Sequence, residues 1–171
     1  SALKIMRALA DNKVAGLCFL TRMFVGEMSD FVDRARAIDP ARGEASFRSD
    51  ALLGGRYSGW PWRQEEHGAL WDAAPHGMSV LVSVLGDVGE VAAKASADGS
   101  YAFSFRHAGG STSSFDLNLR DPSVKLAERY SFANGETVEL PTLAYNRRET
   151  FSYAAGLLLE EIAGARDESR S

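Results

Sequence analysis

The stretch that decides the fold is residues 101–120, YAFSFRHAGGSTSSFDLNLR. Large apolar side chains alternate with small or polar ones on both sides of a glycine-containing link. This period of two is typical of β-strands that bury one face. We predict strands over 101–107 and 112–120, joined through residues 108–110 as a hairpin. The stretch therefore indicates an antiparallel sheet with one packed face and one polar, open face.

Further strands are predicted on either side of this hairpin. Residues 88–96 precede it, and residues 124–132 and 136–140 follow it, with Asn134-Gly135 as a strong turn signal between the last two. The run VAGLCFLTRMFV at 14–25 is apolar on both faces for part of its length and predicts a covered strand. Residues 26–63 mix charges and glycines, and we expect an irregular excursion there with a short helix over 29–38.

Three longer helices are predicted. The first covers residues 2–13, and the second covers 68–85, where an apolar stripe recurs in steps of three and four. The stripe consists of Leu70, Ala74, Met78, Leu81, Val82 and Leu85. The third helix begins at a capping box, Asn146 with Glu149, and runs to about residue 166. Its predicted buried side consists of Phe151, Ala155, Leu158 and Ile162.

Composition excludes several classes of protein. The chain has 171 residues, 45% of them hydrophobic, and a net charge of −4, which is ordinary for one globular domain and lacks the basic excess of a nucleic-acid-binding protein. No apolar run approaches the ~18 residues that a membrane span needs. A single cysteine rules out a disulfide within the chain, and no secretory signal is evident, so we expect a cytoplasmic protein without nucleic-acid or membrane partners.

The best candidates for catalytic residues are two side chains on the second predicted helix. The sequence contains neither a G-x-G-x-x-G nor a P-loop motif, and its three histidines lack metal-ligand spacing, so we predict no metal site. Asp72 and His76 lie four residues apart and therefore share one helix face, which Ser79 extends. A carboxylate beside an imidazole can orient it for general acid/base work. The spacing is also common by chance, so a solvated helix face remains the alternative.

The surrounding residues resemble a known family. Trp62-Arg63, a short spacer and GALWDAAPH at 68–76 are similar to the W-R, spacer, G-G-A-L-x-D-x-G-x-H signature of the glucose–fructose oxidoreductase, inositol dehydrogenase and MocA (Gfo/Idh/MocA) family. LGDVGEV at 85–91 is similar to the family's next segment. Residues 6–25 and the capped helix at 146 are weaker matches. The resemblance spans nearly the whole chain, and 68–91 is its specific part.

The resemblance implies both a fold and a function. The fold is α+β, a mostly antiparallel open-faced sheet with helices packed on one face, as in the ferredoxin-like C-terminal domain of these dehydrogenases. Residues 1–171 would be that single substrate-binding and oligomerisation domain of an NAD(P)-dependent oxidoreductase for a sugar, inositol or related polyol. Asp72 and His76 would be catalytic, with Trp62, Arg63 and Ser79 in contact with substrate. The open sheet face would form a homo-oligomer.

The cofactor side of the resemblance falls outside this chain. NAD or NADP would bind mainly to an N-terminal Rossmann domain that is absent here, and the family's E-K-P lysine is missing. The isolated chain is therefore expected to be inactive. Two family glycines are replaced, by His67 and Ala74, and Ser79 stands where many members have Asp. The alternative is a non-catalytic α+β ligand-binding or assembly module that keeps the fold.

Overall fold

The computed structural model describes residues 2–54, 58–140 and 146–164. These residues form five helices, six strands and one 3₁₀ turn near the start. The helices are α1 (Ala2–Asp11), α2 (Gly26–Ala37), α3 (Pro61–Gln64), α4 (Gly68–Leu85) and α5 (Arg147–Ile162), and the 3₁₀ turn is Thr21–Phe24. The strands are β1 (Arg42–Ser49), β2 (Val88–Ala95), β3 (Tyr101–His107), β4 (Thr112–Asn118), β5 (Leu126–Asn134) and β6 (Glu136–Leu140).

The six strands of the described residues form one sheet in the order β2-β3-β4-β1-β5-β6. Four neighbouring pairs are antiparallel, and β1 runs parallel to β4. The fold is thus α+β, as predicted, but the sheet is mixed. Strand β1 comes early in the chain but lies between β4 and β5, which come later in the sequence. It is parallel to β4, and a long crossover connection separates the two strands.

The β3–β4 hairpin is confirmed. Phe103 lies opposite Phe115 in the register, and their rings stack with centroids 5.9 Å apart. On the same face Phe105 and Leu117 are buried, whereas Ser104 and Asp116 belong to the opposite face. The helices cover the first face, and the polar residues of the second face remain open.

The prediction for the region before α3 was wrong in two ways. Residues 14–20 contain no regular element and 21–24 form the 3₁₀ turn, so the expected strand at 14–25 does not exist. The true first strand, β1, lies inside the stretch expected to be irregular. Its buried positions are Gly43, Ala45, Phe47 and Ser49, and only Phe47 among them has a large apolar side chain. A Cβ at Gly43 would meet the Phe132 ring at 2.8 Å, so the strand is buried by close approach.

Helix α2 is longer than the predicted short helix over 29–38. It begins at Gly26 and ends at Ala37, and it buries Met28, Phe31, Val32 and Ala35. Steps of three and four place these side chains on one face. The Phe31 ring lies 5.8 Å from the Phe132 ring of β5, so α2 covers the half of the sheet that carries β5 and β6.

Helix α4 has the predicted bounds, and its buried stripe agrees with the predicted one at Ala74, Leu81 and Leu85 and differs elsewhere. Leu70 and Met78 are only partly buried, whereas Ala69, Ala73 and Gly77 are buried. A Cβ at Gly77 would lie 2.7 Å from the Phe115 ring, so the helix packs on β4 through its smallest residues. Pro75 lies inside the helix without ending it.

Helix α5 begins as predicted and packs differently. The Asn146 side chain accepts a hydrogen bond from the Arg148 backbone N–H and donates one to Glu149, which confirms the capping box. The expected buried side is wrong, because Phe151 and Ile162 are each 64% exposed and Thr150 and Ala154 are buried instead. No helix in the described ranges is long and apolar enough to cross a membrane.

Candidate active site

A cavity of about 570 Å³ lies between α4, α5, the 3₁₀ turn and the end of β1. Residues of the N-terminal half of α4 and of the first turns of α5 line this cavity. Its polar and charged lining residues are Thr21, Arg22, Ser49, Arg63, Asp72, His76, Lys125, Arg147 and Thr150. The volume is within the range of small-molecule sites.

His76 lies on the α4 wall of this cavity, as the sequence predicted for a candidate acid/base residue. Its Nδ1 atom is buried and has no hydrogen-bond partner among the described residues. Burial and, to a smaller extent, the nearby Arg22 charge lower the pKa of His76 from 6.5 to about 4, while Asp72 acts in the opposite direction. The imidazole is therefore neutral at pH 7 and can accept a proton from a ligand.

Asp72 lines the same cavity, but its hydrogen bond goes to Arg63 and not to His76. The Arg63 Nη2 atom donates to Asp72 Oδ1 at 2.8 Å, with the two side chains only 13% and 28% exposed. Asp72 and His76 share a helix face as predicted, and the structure adds that Arg63 competes for the carboxylate. Asp72 and His76 are thus close together on α4 but are not hydrogen-bonded to each other.

Arg63 is held in place by the two tryptophans that precede it. Its guanidinium carbon lies 4.8 Å from the Trp62 ring centroid and 5.2 Å from the Trp60 ring centroid. Such stacking orients an arginine and adds cation–π energy. Arg63 lines the cavity, whereas Trp62 and Trp60 are exposed beside it.

Ser79 is placed away from the cavity lining. Its hydroxyl donates to the backbone carbonyl of His76 at 2.8 Å, one turn back along α4. This bond is a common fate of serine inside a helix. Ser79 therefore contacts the backbone of His76, and a direct substrate contact stays a prediction.

The sequence analysis missed the buried ion pair at the back of the cavity. Arg22 Nε donates to both carboxylate oxygens of Glu128, at 3.1 and 3.0 Å, and the side chains are 9% and 4% exposed. Tyr130 donates to Glu128 Oε1 at 2.5 Å, and burial and the Glu128 charge raise the Tyr130 pKa strongly. The Arg22 guanidinium also lies 5.1 Å from the Phe47 ring centroid.

A signal for this network was present in the sequence. Glu128 shares the inward face of a predicted strand with Tyr130 and Phe132, and a buried carboxylate needs a cation partner. Arg22 could not be identified as that partner, because 106 residues separate it from Glu128 and the strand expected at 14–25 was wrong. Only the tertiary structure identifies Arg22 as the partner of Glu128.

The start of α4 does not form a dinucleotide cradle. No glycine-rich loop precedes a helix in the sequence. At the start of α4, a Cβ on Gly68 would meet backbone oxygens of Trp62 and Arg63 at 2.4 Å, so that turn is filled by protein. Within the described ranges, no group of three or more His, Cys, Asp or Glu side chains could hold a metal ion.

Comparisons with known proteins identify the fold. No family model and no curated protein matches this chain. Among solved structures it is similar to GenD2 from gentamicin A biosynthesis in complex with NAD, with a TM-score of 0.79, 13% identity and coverage of 97% of this chain and 59% of that one. It is also similar to a probable dehydrogenase from Thermotoga maritima, with a TM-score of 0.76, 13% identity and coverage of 96% and 60%.

A third similar structure is levoglucosan dehydrogenase in complex with NADH and L-sorbose, with a TM-score of 0.71, 11% identity and coverage of 91% of this chain and 58% of that one. These neighbours are Gfo/Idh/MocA-type NAD-binding oxidoreductases. The chain spans about three fifths of the length of each. At these identities the likeness establishes the α+β fold of their C-terminal domain.

Proposed function

We propose that this chain is the C-terminal substrate-binding and oligomerisation domain of an NAD(P)-dependent oxidoreductase that acts on a sugar, inositol or related polyol. The observation that carries the proposal is the neutral, partly buried imidazole of His76, whose buried Nδ1 has no partner among the described residues, in a cavity of ligand size. The shared fold with sugar-type oxidoreductases supports it.

His76 is the proposed general acid/base. In the oxidising direction it takes a proton from a substrate hydroxyl, and in the reducing direction it returns one to the carbonyl oxygen. The positive charge that forms on the ring is disfavoured by burial and by Arg22, and Asp72 offsets part of that cost.

Arg63 and Trp62 are the proposed substrate contacts. A guanidinium that two tryptophans hold in place presents fixed N–H donors to hydroxyl oxygens, and the exposed Trp62 ring offers an apolar face to a sugar ring. Ser79 remains in the proposal with a smaller role, because its hydroxyl is bonded to the His76 carbonyl and a substrate would have to compete for it.

At the start of α4, backbone oxygens of Trp62 and Arg63 fill the turn at Gly68 where a dinucleotide phosphate could otherwise bind. We propose that a dinucleotide-binding domain outside this chain holds NAD or NADP mainly by itself, and that the isolated chain is inactive. The polar open face of the sheet, with Arg48, Asp116 and Arg129, is the proposed contact between subunits of a homo-oligomer. A cytoplasmic location belongs to the same proposal.

A second candidate is a non-catalytic ligand-binding or assembly module. The observation that favours it is the Arg63–Asp72 ion pair, which takes the carboxylate that His76 would need. The two candidates differ in what the loss of His76 does. A binding module loses affinity for its ligand, whereas an enzyme keeps the affinity and loses turnover.

The test is steady-state kinetics of the protein that carries this chain, with NAD and NADP offered against a panel of polyols. We expect His76→Ala to lower turnover by about 10²–10⁴-fold, because a positioned acid/base contributes that much. His67→Ala is the matched control, since His67 is exposed and does not line the cavity. An unchanged turnover in His76→Ala contradicts the assignment.

A further inference from the structure

The cavity reverses the charge balance of the chain. The whole sequence has 23 acidic and 19 basic residues. The described lining of the cavity instead carries four cationic side chains and one carboxylate, Arg22, Arg63, Lys125 and Arg147 against Asp72. A concave site with low-dielectric walls concentrates such a potential and draws ligands of opposite charge.

The carboxylates that pair with two of these cations do not line the cavity. Arg22 is paired with Glu128, and Lys125 Nζ lies 2.8 Å from Asp50 Oδ2, and neither acid belongs to the lining. A ligand in the cavity therefore faces Arg22 and Lys125 but not the carboxylates that pair with these two residues. Arg147 lies at the exposed first turn of α5 and has no ion pair in the described part of the chain.

Stability alone is a poor explanation for the Arg22 network. A buried ion pair is often no better for folding than apolar residues of the same volume, because both charges lose their water. Both oxygens of Glu128 accept from Arg22 Nε, the Thr21 hydroxyl accepts from Arg22 Nη1 at 3.2 Å, and Tyr130 donates to Glu128. This arrangement fixes a guanidinium at the cavity wall, as a planar anion-binding group requires.

The charge of Arg22 affects the His76 ring inside the cavity. At the His76 ring, the influence of Arg22 on the pKa exceeds the opposite influence of Asp72, although Asp72 lies one turn away on the same helix. Arg22 is therefore the stronger of these two charges at the His76 ring. A ligand with a negative group close to the reacting hydroxyl would be held there, and a neutral ligand would gain nothing from it.

We infer that the substrate of this cavity is an anionic polyol, one that carries a carboxylate or a phosphate group bound between Arg22 on the inner wall and Arg147 at the rim. This inference rests on the proposed function and narrows its substrate class. Carboxylate and phosphate share the chemistry that recognises them, a pair of oxygens presented to a guanidinium fork.

The experiment measures ligand binding to the 171-residue chain by proton NMR of the His76 ring and by calorimetry. D-glucuronate is compared with D-glucuronamide, which has the same shape and no charge, and D-glucose 6-phosphate is compared with D-glucose. We expect at least one acid to bind about 10-fold more tightly than its neutral partner at low salt, with the preference shrinking as salt is added.

Two variants assign the preference to the proposed arginines. Arg147→Gln should reduce it about 3-fold, as expected for one charge at an exposed rim. Arg148→Gln is the matched control, because Arg148 is the next residue of the same helix, exposed, and outside the cavity lining. Arg22→Gln combined with Glu128→Gln should abolish the preference without leaving a buried carboxylate unpaired, and circular dichroism verifies that it folds.

The possible outcomes separate the inference from the proposed function. If neutral and acidic ligands shift the His76 resonances with equal affinity, the anionic substrate class is overturned and the polyol site stands. If neither kind shifts them, the proposed function fails together with the inference. A preference for glucuronate supports a carboxylate substrate, and a preference for glucose 6-phosphate supports a phosphate substrate. An equal preference in Arg147→Gln and the native chain contradicts the role of Arg147.

Discussion

Two regions of the molecule bury a histidine and treat it differently. At the end of β3, His107 is 2% exposed, its Nδ1 donates to the Gly86 carbonyl at 2.7 Å, and its Nε2 accepts from the Ser113 hydroxyl at 2.8 Å. On α4, His76 is partly buried and its Nδ1 has no partner in the described residues. The first imidazole is satisfied in the way that stabilises a fold, and the second is left available to a ligand.

The surroundings follow the same contrast. His107 closes the corner between α4 and the dry, aromatic face of the sheet, where Phe103, Phe105 and Phe115 stack. His76 faces a cavity whose wall contains a buried ion pair. An unsatisfied buried polar group costs free energy, so it is retained where it serves a function. We therefore expect the loss of His107 to affect mainly stability and the loss of His76 to affect mainly activity.

The largest effect on stability is expected from His107→Ala. The substitution removes two hydrogen bonds, leaves the Ser113 hydroxyl and the Gly86 carbonyl buried without them, and opens a cavity, so it should lower the free energy of unfolding by about 3–4 kcal/mol. His76→Ala should cost less than about 1 kcal/mol, because it also removes an unsatisfied group. Urea unfolding measures both, and equal losses would break the comparison.

A smaller effect is expected from pH, through His76. Its pKa is about 4 in the folded chain against its usual 6.5. Between these values the unfolded chain binds the proton and the folded chain does not, so stability falls as pH falls. Discounted for partial exposure, the loss should be about 1–2 kcal/mol between pH 6.5 and 4. His76→Gln should remove this part of the pH dependence in urea unfolding, and a slope identical to the native one contradicts the assignment.

The smallest expected effect sharpens the electrostatics of the His76 site. Asp72 raises the pKa of His76 against the larger effects of burial and Arg22, so Asp72→Asn should lower that pKa below about 4. An NMR titration of the His76 ring measures the shift. Asp87→Asn is the control, because Asp87 lies beyond the far end of α4 from this cavity. A pKa that rises in Asp72→Asn would show that Asp72 does not act as a nearby negative charge.

Local patterns were sufficient wherever a segment is stabilised by its own periodicity. The β3–β4 hairpin was predicted from the alternation of aromatic and polar residues, α4 from its helical spacing, and the start of α5 from Asn146 and Glu149. These signals involve residues fewer than about ten positions apart, so single-sequence reasoning can detect them.

The same reasoning failed where burial depends on distant residues. The strand β1 presents Gly43 to the interior because Phe132 and Leu85 of α4 fill the space above it, so this position adds nothing to an apolar pattern. The run at 14–25 has the composition of a strand but has no strand neighbour among the described residues. In α5 the apolar residues Phe151 and Ile162 are exposed, which the helical pattern could not reveal.

For the site, the sequence by itself determined that Asp72 and His76 share one helix face, because helical spacing is a local property. Only the tertiary structure decided what surrounds them. It placed Arg63 on Asp72, brought Arg22 and Glu128 together across 106 positions and set α5 opposite α4 to enclose the cavity. The physical reason is that the pKa of His76 and the charge of the cavity depend on distance and burial in space, and neither quantity is encoded in any single segment.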